Sequence, residues 1–302
     1  EFRRVLFRSM FSNKIKILLL MIITMSITTN INAEDFKIMT YNIYGGRLAD
    51  GAKLGANIKA ENPDFIALQE VDKNTNRSKF KDIAYDMSQA LGYNYFYFQK
   101  ARNFDGGEFG IAFISKYPIT KIYTYELPSI GTEKRQVLAA EIDEKVFNSK
   151  ILVINTHLDF NEEIKPKEIE SLLSVTEMFD ADIKFMTGDF NLLPTSEYYK
   201  DISKDWEDSY MLGSNINDLD NEKRKVKNPR IDYIWGDSSE KWKVKESYFI
   251  KETNGNKWTD LSDHLPYVAI FSIEVPKIDT PKVETQKVEV PKEDIKEENK
   301  EN

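Results

Sequence analysis

The tetrapeptide GDFN at 188–191 closes an apolar run, Ile183-Lys184-Phe185-Met186, with an aspartate and, two residues on, an asparagine. A carboxylate at the end of a buried strand is costly unless a cation, a hydrogen-bond donor or open water compensates it. Asp189 is therefore either a turn cap or a chemical group. The pattern recurs along the chain. Asn42 follows FKIMTY, Gln69 and Glu70 follow FIAL, and Asn155, His157 and Asp159 close ILVI. Asp232 sits in RIDYIW, and Asp263 with His264 in LSDHLPYVAI. Both histidines of the chain fall in this set, beside acids. Carboxylates and amides hold hard cations and orient water, and imidazoles move protons near neutral pH.

Groups so far apart in sequence can meet only if the segments carrying them pack side by side. Apolar runs predict strands at 36–41, 65–68, 93–99, 109–115, 119–127, 136–142, 151–157, 183–187, 231–235, 248–250 and 267–273. Helical spacing predicts helices at 54–61, 80–91 and 167–179. In the second of these Phe80, Ile83, Ala84, Met87, Ala90 and Leu91 share a face, and Gly92 ends it. Many short strands with few helices predict two packed sheets with helices outside. No GxGxxG or GxxxxGK[ST] follows a strand, which argues against a dinucleotide or P-loop fold. The alternation at Tyr93, Tyr95, Phe96, Tyr97 and Phe98 reads as packing rather than base stacking.

The 302 residues, 41% hydrophobic and 12% aromatic, suffice for one large core or two small ones. Residues 1–9, EFRRVLFRS, resemble no fold element and read as a non-native scar before Met10. Residues 10–33 read as a signal peptide: Lys14 and Lys16 precede the apolar run 17–27, and Ile31-Asn32-Ala33 offers a cleavage site. The run is shorter than the roughly 20 residues that span a bilayer. A secreted, periplasmic or cell-surface location is expected. Residues 275–302 repeat PKIDT, PKVET, QKVEV and PKEDI, a solvated tail without a hydrophobic face, which leaves 34–274 as the folded domain. With no cysteine, disulfides, thiolate metal sites and a cysteine nucleophile are excluded. Residues 1–33 carry five basic residues and one acid, so the remainder moves from the whole chain's −8 to −12. A chain this acidic is no general phosphate-backbone binder, and EKRKVKNPR at 222–230 is its strongest local basic patch.

Seven motifs stand in order: TYNI (40–43), LQE (68–70), GEFGIAFISKYPI (107–119), NTHLD (155–159), GDFN (188–191), RIDYI (230–234) and SDHLP (262–266). Together they resemble the endonuclease/exonuclease/phosphatase family. These DNase I-like, metal-dependent phosphoesterases include deoxyribonucleases, abasic-site endonucleases, neutral sphingomyelinases and inositol-polyphosphate phosphatases. The resemblance covers about 36–273. It implies an α/β (α+β) fold, a four-layer αββα sandwich of two mainly antiparallel sheets flanked by helices, with the site in loops at one edge.

Phosphate-ester hydrolysis needs a cation on the phosphoryl oxygens, an oriented water and relief of charge on the leaving oxygen. Asn42, Glu70 and Asp263 suit Mg2+ or Mn2+. Asp189 is the candidate base or water-orienting group, and Asn191 the candidate holder of a phosphoryl oxygen. Asp232 would orient His264, and His157 would donate to a phosphoryl or leaving oxygen. Nuclease members tend to pair an acid with the first histidine; Gln136 stands near that place and Asp159 is a substitute. Arg77 and Arg135 are either substrate-binding or plain surface arginines. Taken together with the leader, which implies export, the resemblance implies a phosphodiester hydrolase, read as a monomer, with a nucleic-acid substrate as the first reading and no stable protein partner. A phospholipid headgroup, as in sphingomyelinases, or an inositol or sugar phosphate is the alternative. A catalytically silent binding module is the rival from another class.

Overall fold

The strands in chain order are β1 (Asn32–Asn42), β2 (Phe65–Lys73), β3 (Tyr95–Phe104), β4 (Gly107–Ser115), β5 (Ile119–Glu126), β6 (Gln136–Ile142), β7 (Ile151–His157), β8 (Ile183–Asp189), β9 (Trp206–Asp208), β10 (Asp232–Asp237), β11 (Trp242–Phe249), β12 (Glu252–Thr253), β13 (Asn256–Lys257) and β14 (Tyr267–Val275). The helices are α1 (Gly51–Glu61), α2 (Ile83–Leu91), α3 (Lys165–Glu177), α4 (Glu197–Ile202) and α5 (Ser209–Leu212). The structure, a computed structural model, describes residues 32–213 and 230–275. The segments read above as a scar (1–9) and, but for residues 32 and 33, as a signal peptide (10–33), the repetitive stretch from 276 and the basic run up to 229 lie outside the described residues.

Two six-stranded sheets form, in the orders β11-β14-β1-β2-β4-β3 and β5-β6-β7-β8-β10-β9. Each is antiparallel except at its centre, where β1 runs parallel to β2 and β7 to β8. A parallel pair needs a crossover connection, and α1 and α3 supply the two. Their placement brings the carboxyl ends of four central strands, and the polar residues there, to one edge.

The period of two along each strand sorts side chains into layers. In β1, Phe36 and Ile38 point between the sheets, where they join Phe65, Phe113, Leu138, Val153 and Ile234. The Phe185 and Phe271 rings lie 4.2 Å apart, one from each sheet. Met39 and Tyr41 point the other way, onto Leu54 and Ile58 of α1 and Ile83 and Met87 of α2. On the far side Ile154 and Met186 meet Ile169, Leu172 and Val175 of α3. These three apolar layers make the four-layer αββα sandwich that the motifs implied.

The helix expected from Phe80 begins at Ile83, where the Asp82 side chain accepts from Tyr85 N and caps it. Lys79 and Phe80 stand at φ 57° and 61°, and Phe80 N donates to Thr75 O, so a turn takes the place of the first helical residues. Phe80 is 67% exposed rather than on the core face. On β3, the edge strand, Phe96 and Phe98 pack on the outer layer while Tyr95 and Tyr97 are exposed. The short elements β9, α4, α5 and the β12–β13 hairpin had no legible periodicity.

Candidate active site at the ends of the two parallel strand pairs

In the registers of the parallel pairs Asn42 lies beside Gln69 and His157 beside Asp189. The two buried amides that adjoin them hold the sheets together. Gln69 Nε2 donates to Asn155 Oδ1 at 2.7 Å, and Asn155 Nδ2 donates to the Leu68 and Ala112 carbonyls, both at 2.9 Å. Glu70 is freed for another task. The β2–β4 register shifts between Leu68 and Val71, and Glu70 takes φ 52°, a bulge that swings its carboxylate into the cleft. Gly188 precedes Asp189 because β8 passes so close to β7 that a Cβ there would meet the Thr156 carbonyl.

Asp189 is the point of convergence. It is 2% exposed, and its Oδ2 accepts from Asn42 Nδ2 at 3.0 Å. The same amide nitrogen lies 3.1 Å from Glu70 Oε1, while Asn42 Oδ1 accepts from Tyr44 N at 3.1 Å. Asn42 therefore joins one carboxylate from each sheet. His264 Nε2 and His157 Nε2 stand 3.6 Å and 3.7 Å from Asp189 Oδ2. His264 Nδ1 donates to Asp232 Oδ2 at 2.9 Å, and Asp232 pairs with Asp189 across β10 and β8.

These surroundings push the titrations apart. Burial, then the Asp232 charge, raises Asp189; the His264 charge and the bonds from Asn42 and Asn191 oppose them. Burial also raises Glu70, against the Asn42 bond. For His264 burial disfavours the charge, but the Asp232 bond and the charges of Asp232, Asp189 and Asp263 outweigh it and lift the imidazole to about 9. Burial, with the Arg135 charge beside it, holds His157 well below its ordinary value. At neutral pH one imidazole is a cation and the other is neutral, a division that suits acid–base work.

The remaining expected residues are placed as follows. Asn191, at φ 48°, donates its backbone N–H to Asp189 Oδ1 at 3.0 Å and its amide to Leu158 O at 2.9 Å. Asp263 is exposed, 3.3 Å from Ser262 Oγ, and its charge reaches Glu70 and His264. Gln136 donates to Lys100 O at 2.7 Å, and Asp159 pairs with Arg135 at 3.4 Å, so neither orients His157. Among the described residues, Asp189, Asp232 and His264 form the group whose ligand atoms lie within 4.8 Å of one another.

The cleft over these groups measures about 240 Å³, and Arg47, Arg77, Arg102, Arg135 and Phe160 stand in its walls. Arg77 grips the buried Asp72 with two bonds of 2.6 and 2.7 Å, and both Arg77 and Arg102 stack on the Phe104 ring, at 4.5 and 4.6 Å. Arg135 is buried against Glu133 and Asp159, so neither Arg77 nor Arg135 is a plain surface residue. Arg230, the last residue of the basic patch at 222–230, is buried, ion-paired with Asp208 and stacked on Tyr210 and Tyr233, so this residue of the patch offers nothing to a polyanion.

Two further residues escaped sequence reasoning. Lys165, fully buried at the start of α3, donates to Asp159 O and, at 3.2 Å each, to the Phe190 and Asn191 carbonyls. Glu168, one turn on and also fully buried, accepts Asp159 N through both oxygens at 3.1 Å; burial raises it to about 7. This pair fastens the NTHLD loop to the GDFN loop from beneath. A lysine and a glutamate in a charged helix read as solvated; only the loops folded over them reveal their role.

The Endonuclease/Exonuclease/phosphatase family model matches residues 39–264. The chain is 26% identical over 175 residues to the Uncharacterized protein YbhP of Escherichia coli (strain K12), a match covering 52% of this chain and 66% of that protein's length. In fold it is similar to the human Nocturnin catalytic domain, with a TM-score of 0.61 and 19% identity over 81% of this chain and 97% of that one. It is likewise similar to the mannosyl-6-phosphatase Bt3783 of Bacteroides thetaiotaomicron, with a TM-score of 0.56 and 18% identity over 78% of this chain and 98% of that one. The convergence of Asn42, Glu70, His157, Asp189, Asp232 and His264 at one sheet edge, and the match across the segments that carry them, place this chain in the endonuclease/exonuclease/phosphatase family.

Proposed function

We propose that the protein hydrolyses phosphate esters in this cleft with the help of Mg2+ or Mn2+. The observation that carries the reading is the setting of Asp189: a buried carboxylate held by Asn42, flanked by a neutral and a cationic imidazole, under a wall of arginines. Glu70, with Asn42 and Asp263, would hold the cation. Glu70 fits the part, because a half-buried carboxylate beside Asp263 gains most from a positive charge. The oxygen-rich set suits a hard cation, whose contribution is Lewis-acid stabilisation of the phosphoryl oxygens.

The chain's own residues do the rest. Asp189 Oδ2 orients the attacking water and takes its proton. Asn42 fixes that carboxylate, and Asn191, braced by Leu158 O, stands ready beside a phosphoryl oxygen. His264, kept charged by Asp232, donates a hydrogen bond from Nε2 to the phosphoryl group; neutral His157 steadies the leaving oxygen with an N–H hydrogen bond, that oxygen takes its proton from solvent water as it departs, and Asp189 releases the proton it took to solvent. The arginine wall concentrates anionic substrate in a chain of net charge −8.

A phosphodiester, with nucleic acid foremost, is the first substrate reading. The second is a sugar phosphate, favoured by a cleft at the small end of ligand pockets, by the inward burial of Arg230 and by the fold likeness to a mannosyl-6-phosphatase. A silent binding module would not need two imidazoles divided in charge. Export is part of the proposal, on the strength of Lys14, Lys16 and the apolar run 17–27; N-terminal sequencing of the exported protein should begin at Glu34.

The test is hydrolysis of p-nitrophenyl diesters and monoesters, DNA, RNA and hexose 6-phosphates with and without metal. Chelation should abolish turnover, and Mg2+ or Mn2+ should restore it. Full activity after rigorous chelation would refute the role of Glu70. A second expectation concerns pH. The His264 pKa in the folded chain, about 9, lies above the ordinary 6.5, so the Asp232–His264 pair stabilises the fold fully below about pH 6.5 and loses that contribution as pH rises through 9. Denaturant titrations of chelated protein at pH 6 and pH 10 should differ by on the order of 2 kcal/mol more in the wild type than in Asp232→Asn.

A further inference from the structure

We infer that Phe160 is a docking face for a ring, and that the preferred substrate carries its phosphoryl group on a cyclic alcohol. The inference rests on the phosphoester reading of the cleft and adds to it the class of the esterified group. Phe160 is 76% exposed and lies in the cleft wall with His157, Asp189 and Asn191. An aromatic side chain left in water forgoes much of the stabilisation it would gain on burial, so a mobile loop would tend to fold it away.

This loop is not free to do so. Leu158 N donates to Asp189 O at 3.0 Å, and Asp159 N is held by Glu168. Asp159 O is held by Lys165, and Asn161 N donates to Asp159 Oδ1 at 3.0 Å. Asn161 in turn receives Glu163 N at its side chain, at 2.9 Å, and Ile164 N at its carbonyl, at 3.3 Å. The backbone on both sides of Phe160 is thus pinned, and the ring is presented to the cleft at little further entropic cost on binding.

The other walls supply charge and hydrogen bonds for a phosphoryl group, and the other ring in the lining, Phe109, is 4% exposed and already stacked under Arg77 and Arg102. Phe160 is the open apolar face there. A flat face of about ring size, next to a group that holds phosphate, matches a sugar or inositol ring presenting its C–H face. Such a ring lies one or two bonds from the ester oxygen, within reach of Phe160 when the phosphoryl group is held.

Phosphonates, whose carbon–phosphorus bond resists hydrolysis, serve as probes: methyl-, n-hexyl-, cyclohexyl- and phenylphosphonate, titrated calorimetrically into full-length protein with Mg2+. The wild type should bind the cyclic pair about tenfold tighter than methylphosphonate. Phe160→Ala should erase that gap while leaving methylphosphonate binding unchanged, and Phe160→Trp should keep it. Cyclohexyl bound at least as tightly as phenyl marks a sugar-like ring and supports the inference; phenyl bound tighter than cyclohexyl marks an aromatic ring in its place and would overturn it. Equal binding of hexyl and cyclohexyl probes, or a gap that survives Phe160→Ala, would overturn it. If no phosphonate binds at all, the phosphoester reading itself fails, and this inference with it.

Discussion

Asp189→Asn is expected to lower kcat by roughly 10²- to 10⁴-fold, the range of general-base contributions, with a much smaller change in KM. The substitution keeps the shape of the side chain and removes its charge. In the wild type both oxygens are engaged, Oδ1 by Asn191 N and Oδ2 by Asn42 Nδ2. An asparagine can accept only one of these donors, so one bond is lost, a cost of about 1 kcal/mol. Against that loss stands relief from burial of the charge and from the neighbouring Asp232, the two influences that raise Asp189. In chelated protein the two nearly cancel, and thermal unfolding should shift by no more than a few degrees. With metal bound, the variant should lose more, because the cation then has one negative neighbour fewer. A well-folded Asp189→Asn protein that turns over at the wild-type rate would show that GDFN is only a turn with an aspartate cap.

That test bears on how far sequence alone could reach. Strand ends were legible because an acid, amide or imidazole after four to six apolar residues is a costly arrangement, and each such place found in the sequence lies at or beside the cleft. Sequence could not say which of them do chemistry. Gln69 and Asn155 carry the same signal as Glu70 and His157, yet they spend their hydrogen bonds on each other and on backbone. What separates Gln69 from Glu70 is a bulge one residue long, set by strand pairing across β4. The layers were legible from periodicity. The start of α2 was not, since Phe80 has helical spacing but stands in a turn closed by Thr75 O and Lys81 O. The arginines of the wall come from two loops, a turn and one strand, β3, and no local pattern marks them as neighbours.

Lys165 is the clearest case of a role visible only in three dimensions, and its removal should have the second large effect. Lys165→Met keeps the length of the side chain but leaves the carbonyls of Asp159, Phe190 and Asn191 buried without their donor. At about 1–3 kcal/mol for each unsatisfied group, partly recovered by relaxation, the loss should be on the order of 3 kcal/mol, or about 6–12 °C in Tm. A purely structural residue would end its influence there. Lys165, however, holds the carbonyl of Asn191, a residue in left-handed conformation whose amide is aimed by Leu158 O. Released from below, Asn191 should lose its position, and kcat measured on the folded fraction at low temperature should fall roughly tenfold, about the worth of one hydrogen bond. The decisive measurement is a double-mutant cycle on kcat. If Lys165 acts through Asn191, then Lys165→Met added to Asn191→Ala costs almost nothing further; independent roles would make the two losses multiply. Lys165→Gln, which retains a donor for one carbonyl, should fall between wild type and Lys165→Met in both Tm and kcat, and it keeps the cycle measurable where the methionine variant folds poorly.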